Sequence, residues 1–232
     1  MDGAVILSAS EIESKSLDFV SGNYYYIFGK SNALLYPKNE LQFFLLNQYP
    51  RIKDVRISLS DHQTIHIELS EREPIALWCN NTKAEIASST DPNLAPSCYF
   101  LDKNGFVFSQ SPYFSGDAYF KYYGLVPFES PIGSSYLSSS DTFTELSSFV
   151  SSVKDLKITP LYIIAQNQHE FTMYIYGGGR IIFDDNVPLT KTADNLQLLL
   201  QTANLVPQKD GELLVDYIDL RYGNKLYYKF RL

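Results

Sequence analysis

The sequence predicts an α+β protein in two domains: residues 1–72, with two helices on a small sheet, and residues 73–232, a β-rich domain with an antiparallel sheet and flanking helices. Capping-box spacings followed by apolar residues at helical intervals indicate the helices. Alternating apolar and polar residues indicate the strands. The charged stretch "EREP" (Glu71 to Pro74) marks the boundary, because its proline cannot donate to a sheet ladder.

In the first domain, "SASE" places Ser8 as a helix N-cap and Glu11 three residues later, so a helix is predicted from here until it stops at Gly22. A second helix is predicted from Lys38 to Gln48. The stretch "VRISLSDHQTIHIELS" then alternates on both sides of a polar turn at 61–63, which predicts a hairpin half-buried on the helices.

In the second domain, "PIALWC" and "CYFLDKNGFVF" predict strands on either side of a polar loop from Asn80 to Ser97. A serine-rich loop covers 130–140. Thr142 and Glu145 of "TFTE" then have capping-box spacing and predict the start of a helix. Strands from "PLYIIA" and "FTMYIYGGGRIIF" follow, and between the latter and the closing stretch a helix is predicted from about Lys191 to Asn204.

The closing stretch "YIDLRYGNKLYYKF" predicts one long strand with a kink or bulge at Gly223. A two-residue hairpin at Gly223 and Asn224 would pair Ile218 with Lys229 and place an apolar and a charged side chain on one face. The single strand instead has an apolar face of Ile218, Leu220, Tyr222, Leu226, Tyr228, Phe230 and Leu232. Its other face carries Lys225, Lys229 and Arg231 around Tyr227. If one side of this strand has no neighbour, it is an open edge that could pair with another chain.

Composition and charge exclude several classes of protein. The net charge of −7 disfavours a phosphate backbone as partner. No stretch approaches the ~20 apolar residues of a transmembrane helix, and no signal peptide is visible at the start. Eighteen tyrosines and fifteen phenylalanines favour strands, since aromatic rings pack well on a pleated surface.

The two cysteines allow one intramolecular pairing. Cys79 ends one apolar run and Cys98 begins the next, so a disulfide is geometrically reasonable if these runs form neighbouring antiparallel strands. Two unrelated buried thiols are the alternative. The sequence leaves both interpretations open.

No segment presents a persuasive catalytic or cofactor site. "YGGGR" lacks the Lys-Ser/Thr of a P-loop and precedes a strand, so it predicts a hairpin turn. His62 and His66 have zinc-ligand spacing for a helix but lie in a predicted hairpin without a third ligand, and His169 lies in a predicted loop. G-x-S-x-G is absent. We therefore predict no catalytic residue, no metal and no cofactor, which favours a binding protein.

Several of these stretches resemble one family. "LLNQYPRIKDVRISL…HIELSEREPIALW" looks like the POTRA domain of the bacterial cell-division family FtsQ/DivIB and its junction to the following β domain. "FLDKNGFVF" is similar to the family's Asp-x-x-Gly turn through Asp102 and Gly105, and residues 219–222 are similar to its terminal Asp-Leu-Arg-Tyr strand. The resemblance covers nearly the whole chain in the same order. It implies a POTRA domain over 1–72 and an FtsQ-type β domain over 73–232.

The resemblance implies a non-enzymatic, single-pass protein of the cell membrane at the division septum, with both domains on the extracytoplasmic side. Family members join FtsB-type and FtsL-type proteins and help regulate septal peptidoglycan synthesis; their last strand receives a strand from FtsB. The implied transmembrane helix is missing from this chain. Met1 to Ala4 resembles the end of the first POTRA strand, so we expect an N-terminally truncated piece with part of that strand missing.

The partner-binding positions that the resemblance implies are Tyr222, Asn224 and Phe230. By inference alone we add Leu226 and Tyr228. Simple burial in the core is the alternative for Tyr222, Leu226 and Phe230.

One position departs from the family pattern. The family's well-studied examples carry a basic residue after the hairpin that precedes the last helix, and this chain has Asp184 and Asp185 of "FDDN" there. That contact is therefore in doubt, or replaced by Lys225 and its neighbours. Two rival hypotheses stay open: another POTRA-containing transport or assembly protein, for which a β-barrel is expected downstream, and an unrecognised hydrolase that uses His169 or a cysteine.

Overall fold

The structure is a computed structural model of the chain. It describes residues 1–232 except 22, 25–27, 30–35, 61–63, 81–96, 113, 115–117, 128, 224 and 232. The chain divides into two compact units, Met1–Glu73 and Pro74–Leu232, so the division falls within the "EREP" stretch. The described residues form an α+β structure with four helices and a large mixed sheet, which confirms the predicted fold class at this level.

In the described part of the N-terminal unit, the chain forms two helices and two small sheets. Its elements are α1 (Ala9–Phe19), β1 (Asn23–Tyr24), β2 (Phe28–Gly29), α2 (Lys38–Gln48), β3 (Ile52–Ser60) and β4 (Thr64–Glu71). Ser8 caps α1 as predicted, since its hydroxyl accepts from the Glu11 N–H at 3.3 Å. The Glu11 carboxylate accepts from the Tyr49 hydroxyl at 3.1 Å. The predicted bounds of α2 are confirmed.

The β3–β4 hairpin has the register that its apolar alternation requires. Val55 lies opposite Leu69, and Ile57 lies opposite Ile67, and these four side chains are buried against the helices. The turn predicted at 61–63 lies outside the described residues. Asp2 lies beside β4 in a parallel bridge to Glu68.

The C-terminal unit is built on one nine-stranded sheet with the order β13-β12-β11-β10-β9-β8-β5-β6-β7. Its strands are β5 (Ala76–Cys79), β6 (Cys98–Leu101), β7 (Val107–Gln110), β8 (Phe120–Tyr123), β9 (Pro160–Ala165), β10 (Glu170–Ile175), β11 (Arg180–Asp184), β12 (Val215–Tyr222) and β13 (Lys225–Phe230). Its helices are α3 (Ser140–Asp155) and α4 (Leu189–Thr202). Three neighbouring pairs are parallel (β5–β8, β8–β9 and β11–β12), so the predicted antiparallel sheet is in fact mixed.

The main core of this unit lies between the sheet and helices α3 and α4. Alternation along β5 shows the two faces: Ala76 and Trp78 join the helix-covered core, while Leu77 and Cys79 join a smaller apolar cluster with Tyr123. The sheet therefore buries side chains on both faces, as a sheet with parallel strands usually does.

The boundaries of helices α3 and α4 differ from the prediction. Helix α3 begins at Ser140, because the Ser139 hydroxyl accepts from the Thr142 N–H at 3.3 Å; Thr142 is a residue of the first turn and not the cap. Helix α4 runs over 189–202, two residues earlier at each end than predicted. The predicted hairpin turn at "YGGGR" is confirmed, since Tyr174 of β10 pairs with Arg180 of β11.

The prediction of a single closing strand is wrong. The chain turns back at Gly223, and β12 and β13 form an antiparallel hairpin in which Ile218 lies opposite Tyr228. The unfavourable pairing of Ile218 with Lys229 is avoided because the register shifts by one residue between Asp219 and Tyr222. Bulges thus let both strands keep their apolar side chains on the core face.

Candidate functional site: the edge strand β13

Strand β13 lies at one end of the nine-stranded sheet, and in the described part of the chain no strand pairs with its outer side. The opposite end of the sheet differs. There the chain itself bonds to the outer strand β7: the Val107 N–H donates to Ser134 O at 2.9 Å, and the Gly133 N–H donates to Val107 O at 2.8 Å. The protein thus covers part of one edge and leaves the other open to a strand.

The direction of the free backbone groups follows from one hydrogen bond. The Arg231 N–H donates to Leu214 O at 3.3 Å, on the β12 side. N–H groups alternate in direction along a strand. Both bulges add their extra residue to β12, so they do not interrupt this alternation in β13. The N–H groups of Tyr227 and Lys229 therefore point to β12, whereas those of Leu226, Tyr228 and Phe230 point outward.

The side chains of β13 form two different faces. Leu226 packs against the main core, and the rings of Tyr228 and Phe230 continue this face, 5.4 Å apart and edge to face. Tyr228 is 37% exposed and Phe230 51% exposed. Aromatic rings left half-open beside an unpaired strand edge are typical of a surface that another chain covers.

The predicted partner-binding residues do not share one strand. Tyr222 belongs to β12, and its exposed ring contacts Tyr227 edge to face at 5.2 Å, not the rings of the core face. Leu226, Tyr228 and Phe230 lie together on β13. Asn224 lies outside the described residues. Leu226 is half-buried against the core. Its side chain therefore contributes to packing, as the alternative prediction proposed.

The opposite face of β13 is basic, as predicted, but most of its charge is balanced within the protein. The Lys229 ammonium lies 3.1 Å from an Asp216 carboxylate oxygen, and the Arg231 guanidinium lies 3.9 Å from Glu212. Lys225 is exposed and has no ion pair with any described residue. Lys225 is thus the cation of this face that is available to an acidic group on a partner.

An ion-pair network holds the bulge in β12. The Arg221 guanidinium donates to both Asp219 carboxylate oxygens, at 2.9 and 2.7 Å, and reaches Glu170 of β10 at 3.3 Å. Burial alone would raise the pKa of Asp219, but the hydrogen bonds and charge of Arg221 outweigh it and lower this pKa. Sequence reasoning noted both residues only as a family motif. Their i,i+2 spacing is the signal that could have indicated a local pair.

Two of the three histidines lie within the described residues, and each pairs with an aspartate. His169 Nδ1 lies 2.9 Å from an Asp185 carboxylate oxygen, with the imidazole largely exposed, and His66 Nε2 lies 3.2 Å from Asp2. Asp184 accepts from Asn186, so Asp184 and Asp185 both have partners within the protein. No cluster of three metal-ligating side chains occurs among the described residues. His62 lies outside them.

Cys79 and Cys98 are joined by a disulfide. They lie directly opposite each other at the ends of β5 and β6, next to the loop that separates these strands.

The chain matches no protein-family model, and no curated protein is significantly similar to it in sequence. Among the residues whose structure is described, none of the helices has the length and apolar character needed to span a bilayer.

Proposed function

We propose that the protein is a non-enzymatic scaffold of the bacterial division machinery, similar to FtsQ/DivIB, that binds an FtsB-type partner by strand addition to β13. FtsL-type proteins are partners in the same assembly. The scaffold acts on the extracytoplasmic side of the cell membrane at the septum and helps regulate peptidoglycan synthesis there. Its N-terminal unit serves as a POTRA domain and its C-terminal unit as the docking domain.

The observation that carries this proposal is the outer side of β13, with its outward N–H groups at Leu226, Tyr228 and Phe230. In strand addition, main-chain hydrogen bonds supply much of the affinity, and alternate side chains fix the register. Leu226, Tyr228 and Phe230 would set that register, since their side chains alternate with those of the opposite face, Lys225, Tyr227 and Lys229.

Two further features support the proposal. The N-terminal unit packs two helices on a hairpin, and Asp2 forms a parallel bridge beside β4, which is consistent with a POTRA domain. The disulfide between Cys79 and Cys98 fits an extracytoplasmic location, because disulfides persist in oxidising compartments.

A matched pair of proline variants tests the mechanism. Tyr228→Pro removes an N–H that points outward and should keep the fold, because edge strands tolerate proline where no ladder bond is lost. Binding of the strand-forming segment of the FtsB-type protein from the same genome should weaken by at least about tenfold. Lys229→Pro removes an N–H that bonds to β12 and should destabilise the unit itself.

Binding is measured by calorimetry and folding by thermal unfolding. A Tyr228→Pro protein that is folded and binds the segment with unchanged affinity would show that β13 does not accept a strand. Tyr228→Ala separates the backbone from the ring: it keeps the N–H and should weaken binding less than proline does.

A further inference from the structure

A cleft of about 670 Å³ lies in the C-terminal unit, and no residue of β13 lines it. It is bounded by the end of α3, the beginnings of β8 and β9, and the loop over 207–211. Three lysines line it, Lys154 and Lys157 from one wall and Lys209 from the loop. Its apolar lining residues are Tyr119, Phe120, Ile158, Pro160, Leu161 and Pro207.

The three lysines carry charge that the protein does not balance. All three side chains are exposed, and none has an ion pair with a described residue. The Lys154 ammonium instead lies 5.8 Å from the centre of the Phe120 ring, a cation–π contact. Asp210 also lines the cleft, so its formal charge is three positive against one negative, in a protein with a net charge of −7.

The helix dipole at the end of α3 explains the position of only one of the three lysines. Lysines near a helix C-terminus interact favourably with the helix dipole, which accounts for Lys154. Lys157, however, has φ +65°, and the Ile158 N–H bonds back to Val153 O, so Lys157 occupies the left-handed position at which glycine is preferred. Lys209 is not part of the helix. Neither the helix dipole nor the backbone preference at 157 accounts for lysines on both walls of the cleft.

The wall that carries Lys209 is held firmly in place. Gly211 O accepts from the Thr159 N–H at 3.0 Å, and Asp210 O accepts from the Thr159 hydroxyl at 3.1 Å. Gly211 has φ +84°, and a Cβ there would collide with Thr159. The loop is thus fixed against the start of β9, and the cleft is formed before any ligand arrives.

We infer that this cleft binds an acidic polypeptide segment, whose carboxylates meet Lys154, Lys157 and Lys209 while its apolar side chains contact the Phe120 and Leu161 surface. A polypeptide segment can carry several carboxylates spaced along its length, and these can reach the lysine ammonium groups on both walls of the cleft. A single phosphate matches less well, because phosphate sites typically use arginine forks or helix N-termini, and this cleft lies at a helix C-terminus without arginine. The inference is independent of strand addition to β13.

The probe for the test is a short peptide in which pairs of glutamates alternate with leucines. Titrated into the ¹⁵N-labelled protein, it should shift the amide signals of Lys157, Thr159, Leu161 and Gly211. Lys154→Gln, Lys157→Gln and Lys209→Gln together should weaken binding by about tenfold or more. A control triple variant, Lys53→Gln, Lys103→Gln and Lys191→Gln, replaces three exposed lysines outside the cleft and has the same net charge. It should bind the probe at the cleft as well as the original protein.

Lys157→Gly is a second variant that does not rely on loss of several charges. It should raise Tm, because glycine prefers this backbone conformation, and still weaken binding of the probe. Any of four outcomes overturns the inference: no shifts at the cleft, equal loss in the control variant, unchanged affinity in Lys157→Gly, or the same shifts produced by inorganic phosphate or a single-stranded oligonucleotide at equal concentration.

Discussion

Glu71, at the end of β4, connects three parts of the N-terminal unit. One oxygen of its carboxylate accepts the N–H groups of Val5, Ile6 and Leu7 at 2.8 to 2.9 Å. The other accepts from Arg51 Nε at 2.9 Å. Burial alone would raise the pKa of Glu71, but these hydrogen bonds outweigh it and lower the pKa from 4.5 to about 2.

This shift predicts an acid-dependent contribution to stability. The pKa of Glu71 is depressed in the folded protein, so its contribution is fully present above pH 4.5 and is lost as the pH falls towards about 2. Glu71→Gln should therefore lower the free energy of unfolding of this unit by about 3 kcal/mol at pH 7, and by much less at pH 2.

Hydrogen exchange of β3 and β4 amides at pH 7, with acid unfolding curves, would measure this effect. Glu68→Gln is the matched control, because Glu68 is an exposed glutamate on the same strand. Equal effects of the two substitutions at pH 7 would contradict the role of Glu71.

At the scale of elements, the beginning of α3 shows how a local pattern can mislead. Thr142 and Glu145 have the spacing of a capping box, but the Ser139 side chain is the one that accepts from an unpaired N–H of the first turn. Several serines precede this helix, so the sequence offers more than one suitable cap. Packing of Phe143 and Leu146 into the core fixes the helix without deciding which serine or threonine caps it.

Ser139→Ala should lower the free energy of unfolding of the C-terminal unit by about 1 kcal/mol, because it leaves the Thr142 N–H without its acceptor. Thr142→Ala should change it by less than about 0.5 kcal/mol. Urea unfolding followed by the fluorescence of Trp78, the single tryptophan, compares the two. A larger loss from Thr142→Ala would mean that the helix starts at the later cap.

The β12–β13 hairpin could not be predicted from the sequence for a physical reason. Strict period-2 alternation excludes it, because Ile218 would then pair with Lys229. The bulge that corrects the register is held by Arg221 together with Asp219 and with Glu170, which lies 51 residues earlier. Contacts over such a distance are invisible to a local pattern. By contrast, α2 and the β3–β4 hairpin depend on local periodicity, and their predictions were confirmed.

The same limit applies to the candidate site. The sequence raised the possibility of an open edge at the closing stretch. Leu226, Tyr228 and Phe230, which were predicted to share one face, lie together on β13. The placement of Tyr222 beside Tyr227 could not be foreseen, since it depends on the turn at Gly223 and on the bulge. Which backbone amides face outward also depends on this register.

At the scale of the whole molecule, the disulfide links the strands on either side of a long loop. Cys79 and Cys98 are 19 residues apart. Closing a loop of this length in the unfolded chain is expected to stabilise the fold by about 3 kcal/mol. Reduction should therefore lower Tm, and the unreduced, unfolded protein should show no free thiols in a thiol assay. Two free thiols in the untreated protein would contradict this.

The central claim is that the outer side of β13 accepts a strand from another protein. Amide hydrogen exchange, followed residue by residue by NMR, tests it most directly. In the free protein, the amides of Tyr227 and Lys229 should exchange slowly and those of Leu226, Tyr228 and Phe230 quickly. Saturation with the FtsB-type segment should slow the second group as well. If the segment binds while Leu226, Tyr228 and Phe230 keep exchanging quickly, or if these amides are already protected without it, the account is contradicted.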